Sequence, residues 1–68
     1  MKTYEIRYHF TDEDYITRAV NEVDTFDVNA VLEKYTKGDH QTFPHRKGVV
    51  TRVNMNNVTH TKIWESKR

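Results

Sequence analysis

Cysteine is absent from this 68-residue chain, which also has only one proline and two glycines. Without cysteine there are no disulfides and no thiolate metal ligands, a composition typical of reducing, intracellular compartments. So little Gly and Pro excludes a flexible linker or a low-complexity tail. No apolar run approaches the roughly 20 residues that a membrane-spanning helix needs, and the N-terminal residues lack the continuous apolar region of a signal peptide. We therefore expect a cytoplasmic protein folded as a single domain over residues 1–68.

The charge is near zero overall but is unevenly distributed. Residues 1–36 hold four Lys/Arg against eight Asp/Glu, whereas residues 37–68 hold seven against two. Such an asymmetry can make a dipolar surface that steers a charged partner. The simpler interpretation is that the two halves attract each other in the fold or face water, as most surface charges do.

The clearest helix is predicted over residues 24–38. Its apolar residues are spaced three and four apart and form one stripe: Val28, Val31, Leu32 and Tyr35. Three residues are candidates to cap its first turn: Asp24, Thr25 and Asp27. Gly38 is placed to end the helix in the left-handed conformation. A helix of this length is marginal alone in water, so its stripe is predicted to lie on a sheet.

The residues before the helix predict a β-hairpin. Large apolar residues alternate with polar ones, as in a half-buried strand: Tyr4, Ile6, Tyr8 and Phe10. Thr11 to Asp14 form a polar loop, after which residues 15–20 return as a strand. A helix over residues 11–23 is the alternative, because four apolar residues also fit a helical stripe: Ile16, Ala19, Val20 and Val23. In the strand, Arg18 shares a face with Ile16 and Val20, and a β-bulge would be needed to remove this charged residue from the apolar face.

After the helix we predict a loop and a second hairpin. Residues 39–48 are polar and contain Pro44, so they form a loop long enough to be functional. Strands over residues 49–55 and 58–65 then pair through a turn at Asn56–Asn57, because Asn tolerates positive φ. This register pairs two sets of apolar residues: Val49 with Trp64, and Met55 with Val58. Residues 66–68 are expected to fray.

Together these segments predict an α+β fold. It is a small antiparallel sheet in the order β-β-α-β-β, with one helix packed on one face. The alternative order, β-α-α-β-β, replaces the second strand by a helix.

Neither catalysis nor a bound metal is indicated by the sequence. The adjacent carboxylates Asp12, Glu13 and Asp14 point in different directions on a tight loop, and no nucleophile motif or phosphate-binding glycine loop is present. One loop holds three potential metal ligands, but their spacing matches no closed zinc motif: Asp39, His40 and His45. We therefore predict that the protein is not an enzyme and needs no cofactor.

Two kinds of partner remain. Nucleic acid is the less favoured one, bound through cations beside an aromatic ring: Phe43, His45, Arg46, Lys47, Arg52 and Lys62. The favoured partner is a protein, because aromatic residues make up 12% of a chain with so small a core and such residues dominate binding hot spots. The predicted interface residues are Tyr15, Phe43 and Trp64. The edges of a small open sheet also suit a homodimer.

The three segments YEIRYHF, FDVNAVLEKY and VNMNNVTHTKIWE resemble, in pattern, small phage- or plasmid-encoded α+β proteins of Gram-positive bacteria. The resemblance covers the whole chain and includes no motif of fixed chemistry, so it assigns no site residue. It implies an accessory or regulatory protein that binds a host or phage protein.

Overall fold

The computed structural model describes residues 2–22 and 27–66. These residues form five β-strands, one α-helix and one turn of 3-10 helix, and every strand pairing is antiparallel. In chain order the elements are β1 Lys2–His9, β2 Tyr15–Glu22, α1 Val28–Lys34, β3 His40–Arg46, β4 Val49–Asn54, the 3-10 helix Met55–Asn57 and β5 His60–Glu65. The α+β class is confirmed. The number of strands is five where the sequence predicted four.

The N-terminal hairpin forms as predicted. Strand β2 pairs with β1 along its whole length, from Lys2 opposite Glu22 to His9 opposite Tyr15, with no bulge. The helical alternative is therefore wrong for residues 15–22, and so is the bulge expected at Arg18. In the connecting loop the Thr11 hydroxyl accepts the backbone N–H of Asp14 at 2.9 Å, which holds the loop in a turn.

Residues 39–48, predicted as a loop, instead contain strand β3 and a two-residue turn. Strand β3 pairs with β4 in a separate two-stranded sheet, and Lys47 and Gly48 form the turn between them. Gly48 has φ +79°, a conformation that glycine adopts at no steric cost. Pro44 lies within β3 because proline is tolerated in edge strands, and both strands of this sheet are edges.

The predicted C-terminal hairpin is wrong, because β5 pairs with β1 and not with β4. Ile63 lies opposite Ile6, and Asn56–Asn57 belong to the 3-10 helix rather than to a hairpin turn. The predicted pairs of Val49 with Trp64 and of Met55 with Val58 therefore do not occur. The three-stranded sheet has the order β2-β1-β5. Ser66 does not fray, since its N–H donates to the Thr3 carbonyl at 2.8 Å; residues 67 and 68 lie outside the described residues.

The core lies between the two sheets and the helix. Its buried members come from all three parts: Tyr4, Ile6, Tyr8 and Val20 from the larger sheet, Val31 from α1, and Phe43 and Val53 from the smaller sheet. Burial of apolar area at about 25 cal/mol per Å² is the main force that holds such a small domain together.

Helix α1 is shorter than predicted. Asp27 is its N-cap, with its carboxylate accepting the Ala30 N–H at 3.1 Å; the other two candidates, Asp24 and Thr25, lie outside the described residues. The helix ends at Lys34, although Gly38 does adopt the left-handed conformation with φ +83°. Of the predicted stripe, Val31 is buried and Leu32 and Tyr35 pack against the core, whereas Val28 in the first turn is 38% exposed and does not pack there. The Tyr8 hydroxyl donates to the Tyr35 carbonyl at 2.6 Å, which ties the end of the helix to β1.

Candidate functional site

The larger sheet has one face on the core and one turned away from it, which we call the outer face. Because side chains alternate along a strand, the cross-strand register places the same set of residues on this face: Thr3, Glu5, Arg7 and His9 from β1, Tyr15, Thr17, Ala19 and Asn21 from β2, and His60, Lys62 and Trp64 from β5. The side chains on this face are exposed or half-buried, apart from His9, which is buried. Its aromatic and charged side chains are therefore available to a partner.

Arg7 occupies the centre of the outer face, between two aromatic rings. Its guanidinium carbon lies 4.1 Å from the centre of the Tyr15 ring and 5.0 Å from that of Trp64. The Trp64 ring is fixed in turn, because its Nε1–H donates to the Glu5 carboxylate at 2.9 Å. The Arg7 Nε–H points to the Thr17 hydroxyl at 3.5 Å. Contacts of this kind hold the side chains in one arrangement before any partner arrives.

Arg7 has a second cation directly opposite it. Lys62 is its cross-strand neighbour on β5, and like charges in that position destabilise a sheet. Within residues 2–22 and 27–66, neither side chain is in a salt bridge. The sheet therefore carries an uncompensated pair of positive charges at the centre of an accessible surface.

Beside this pair lies a stack of rings around His9. The centres of the His9 and His60 rings are 4.2 Å apart, and the two rings are nearly parallel. The centre of the Tyr15 ring lies 5.2 Å from that of His9, with the two planes inclined by 46°. His9 is only 4% exposed, and neither of its ring nitrogens has a hydrogen-bond partner within the described residues. Burial lowers the pKa of His9, and the nearby positive charges of His60, Lys62 and Arg7 lower it further.

Acid is expected to destabilise the fold through His9. The pKa of this ring in the unfolded chain is about 6.5, and in the folded protein it is lower. As the pH falls below about 6.5, the unfolded chain binds a proton that folded His9 does not, so the free energy of unfolding decreases until the pH passes the folded pKa. Urea denaturation at a series of pH values across the histidine range measures this decrease.

The matched control is an exposed histidine. His9→Gln should reduce the loss of stability in acid, whereas His45→Gln, on an exposed position of β3, should leave the wild-type dependence intact. If all three proteins lose stability in parallel as the pH falls, His9 is not the group responsible.

The predicted protein-interface residues separate into two places. Tyr15 and Trp64 lie on the outer face, and Tyr15 is 50% exposed. Phe43 is only 3% exposed and belongs to the core, so it is not available to a protein or to a nucleic-acid base. Arg7 was not among the predicted residues. The signal for it was its position in β1, where the odd-numbered residues occupy the face opposite Tyr4, Ile6 and Tyr8.

The predicted nucleic-acid residues are also divided. Lys62 lies on the outer face, whereas the remaining cations lie on β3, β4 and their turn, which we call the basic hairpin: His45, Arg46, Lys47 and Arg52. These four residues are exposed. The side chains of Arg46, Lys47 and Arg52 form no salt bridge or hydrogen bond within the described residues. The basic hairpin is thus a second accessible surface, and its residues Pro44 and His45 line one cleft together with Glu5, Thr17 and Ala19 of the outer face.

The other residues weighed for chemistry do not converge. Asp12, Glu13 and Asp14 are exposed in the loop between β1 and β2. His40 and His45 lie five positions apart on β3, which separates them by about 17 Å along a strand. In the described part of the chain no group of three or more His, Asp or Glu residues could hold a metal ion.

Among the described residues, no helix is long and apolar enough to cross a bilayer. Comparison of the chain with protein-family models, with curated proteins and with solved structures gives no match.

Proposed function

We propose that this protein is a non-enzymatic binding module that acts in the cytoplasm and docks a partner protein on its outer face. The observation that carries the proposal is the arrangement of Arg7 between Tyr15 and Trp64 on the side of the sheet opposite the core. Trp, Tyr and Arg are the residues most enriched in binding hot spots. Here Arg7 contacts both rings, Tyr15 is 50% exposed, and Arg7 and Trp64 are partly exposed.

The fixed geometry of these side chains favours binding. Each rotamer-rich side chain that a complex immobilises costs about 0.5–1.5 kcal/mol. The rings and Glu5 already hold Arg7 and Trp64 in place through the cation–π contacts and the indole hydrogen bond. A partner that docks on this cluster therefore loses little of its binding energy to ordering these groups.

The charge of the face selects an acidic partner segment. Arg7 and Lys62 repel each other across β1 and β5 and form no salt bridge within the described residues. A carboxylate placed over the pair relieves this repulsion and gains charge-assisted hydrogen bonds. The occupant we propose is an acidic segment of another protein. The resemblance to phage- or plasmid-encoded proteins suggests a host or phage origin for it.

A second copy of the chain is the competing occupant. The loop between β1 and β2 carries three exposed carboxylates on Asp12, Glu13 and Asp14, so one protomer could supply acid to the other's Arg7 and Lys62. A symmetric dimer of this kind needs the same patch on both subunits. Such a dimer predicts that the molar mass in solution rises with protein concentration and that Arg7→Glu abolishes this rise.

Selection from a displayed random-peptide library tests the proposed partner chemistry. Peptides that bind the wild-type protein should be rich in Asp and Glu, and their affinity should fall at least about tenfold in Arg7→Glu and in Trp64→Ala, as expected for hot-spot residues. Fluorescence anisotropy with a selected peptide measures the affinity. Arg52→Glu makes the same charge change on the basic hairpin and should leave peptide binding unaltered.

Three outcomes would contradict the proposal. The first is that the selected peptides carry no carboxylates. The second is that their affinity does not change in Arg7→Glu or Trp64→Ala, and the third is that Arg52→Glu reduces their affinity as much as Arg7→Glu does. Light scattering distinguishes a homodimer from a complex with another protein. A dimer that disappears in Arg7→Glu would assign the outer face to a second copy of the chain.

A further inference from the structure

We propose that the basic hairpin is a separate site for double-stranded nucleic acid. The first observation is the charge along this part of the chain. Residues 40–64 contain four Lys/Arg and no Asp or Glu. Three of these cations belong to the hairpin and form no salt bridge within the described residues: Arg46, Lys47 and Arg52. Uncompensated Lys and Arg side chains are the groups that neutralise phosphates.

The hairpin has the shape of a ribbon with an accessible tip. Its inner side contributes Phe43 and Val53 to the core, but residues 44–50 are all exposed. Residues 46–50 therefore form an accessible tip, whereas Pro44 and His45 line a cleft against β1 and β2. The major groove of B-form DNA is wide enough to admit a two-stranded β-ribbon.

The cations are distributed over both sides of the ribbon and its end. Strand β4 places Arg52 on the same side as Val50 and on the opposite side from Val49, because side chains alternate. A register shift between Pro44 and Arg46 makes Arg46 the partner of Val49. Arg46 and Arg52 therefore lie on opposite sides of the ribbon, with Lys47 in the turn. Cations on both sides of the ribbon and at its end can contact phosphates of both strands of a duplex.

The remaining side chains of the hairpin favour a duplex over a single strand. Proteins that hold single strands stack the bases on exposed aromatic rings. Phe43, which could have done so, is buried against the core, whereas Pro44 and Val50 are exposed and Val50 is 69% exposed. Aliphatic side chains of this kind can contact thymine methyl groups in the major groove.

The outer face is the less suitable surface for nucleic acid. The three carboxylates of the loop between β1 and β2 lie three to five residues after His9, and Glu5 lies among the cations of that face. A short acidic peptide can dock on Arg7 and Lys62 alone, whereas a long duplex backbone would also meet these carboxylates, which repel it. The basic hairpin has no acidic residue between His40 and Asn54.

Fluorescence anisotropy with a labelled DNA duplex tests the proposal. We expect binding at about 50 mM salt, with log K falling against log salt at a slope of about −3 for three phosphate contacts. The double variant Arg46→Glu/Lys47→Glu should weaken binding by more than tenfold, and Arg52→Gln should make the slope shallower by about one unit. The single strand of the same sequence should bind more weakly than the duplex.

Arg7→Glu is the control, because it changes the net charge by the same amount as one reversal on the hairpin while it alters only the outer face. It should leave duplex binding close to wild type, and circular dichroism should show that every variant keeps its fold. No binding of wild type at about 50 mM salt, where such contacts are strongest, would overturn the proposal. So would a preference for the single strand, or an equal loss in Arg7→Glu. Since peptide binding is measured on the same variants, either proposed site can fail without the other.

Discussion

Replacing Phe43 by Ala is expected to cost about 3–5 kcal/mol of the free energy of unfolding, the usual range for a buried Phe. Phe43 is 3% exposed, and its ring lies 6.1 Å from that of Tyr8. Among the described residues, the smaller sheet contributes only Phe43 and Val53 to the buried core. The change therefore removes much of what attaches this sheet to the larger one. Urea denaturation followed by tryptophan fluorescence measures the loss.

Val50→Ala is the matched control on the same hairpin. Val50 is 69% exposed, and a substitution at such a position changes stability by about 0.5 kcal/mol or less. The pair also distinguishes between the two roles considered for Phe43. A contact residue would tolerate Ala with little change in stability and a loss of binding, so a Phe43→Ala protein as stable as Val50→Ala would contradict its place in the core.

The N-terminal half was predictable because its pattern is local. Alternation of Tyr4, Ile6 and Tyr8 with polar residues identified β1, and a short polar loop implied that the next strand returns beside it. Asp27 was one of three candidate caps that residue type and position indicated. None of these predictions needed knowledge of distant contacts, and the structure confirms all of them.

The C-terminal half was mispredicted because its pairing is non-local. Strand β5 joins β1 across more than fifty residues of chain, with Ile63 opposite Ile6. The predicted hairpin made the adjacent strand β4 the partner of β5. Its register also pairs His60 with Val53 and Lys62 with Thr51 on the predicted core face, which does not suit these two polar side chains. That mismatch was the available signal: in the observed sheet both residues lie on the outer face with Trp64, and Thr61 and Ile63 lie on the opposite side.

The candidate site was half predictable for the same reason. Tyr15 and Trp64 stood out by residue type, but they come from different strands, and only the order β2-β1-β5 brings both to Arg7. Without that order, Arg7 is one more charge on the polar side of a strand. Phe43 also stood out by residue type, and its burial depends on the pairing of β3 with β4.

Arg18 is the residue that made β2 ambiguous, since it lies on the core face between Ile16 and Val20. Its guanidinium carbon lies 4.3 Å from the centre of the Phe43 ring and 4.9 Å from that of Tyr35, and it donates to the Gln41 side chain at 3.3 Å. Its Nε is buried without a hydrogen-bond partner within the described residues. Arg18 therefore fills the space between the sheets and the helix with a flat, stacked group, at the cost of one unsatisfied donor.

We expect Arg18→Met to change the free energy of unfolding by less than about 1 kcal/mol, because an apolar side chain of similar length replaces a half-buried charge at little net cost. Cation–π contacts worth about 0.5–1 kcal/mol each are lost, and the penalty of about 1–3 kcal/mol for the unpaired Nε is relieved. Arg18→Ala should instead cost about 2–3 kcal/mol, since it removes the stem that packs on the rings and leaves a gap. Urea denaturation of both variants measures the two changes.

The comparison decides what Arg18 contributes. If its charge were the stabilising element, Met and Ala would be equally damaging, and the stability of the wild-type protein would respond to salt as an ion pair does. If packing is the contribution, the two variants differ by about 2 kcal/mol and added salt has little effect. The second result would also explain how β2 can carry a charge on its core face without the bulge that its sequence pattern suggested. The strand stays regular because the neighbouring rings of Tyr35 and Phe43 accept the guanidinium in place.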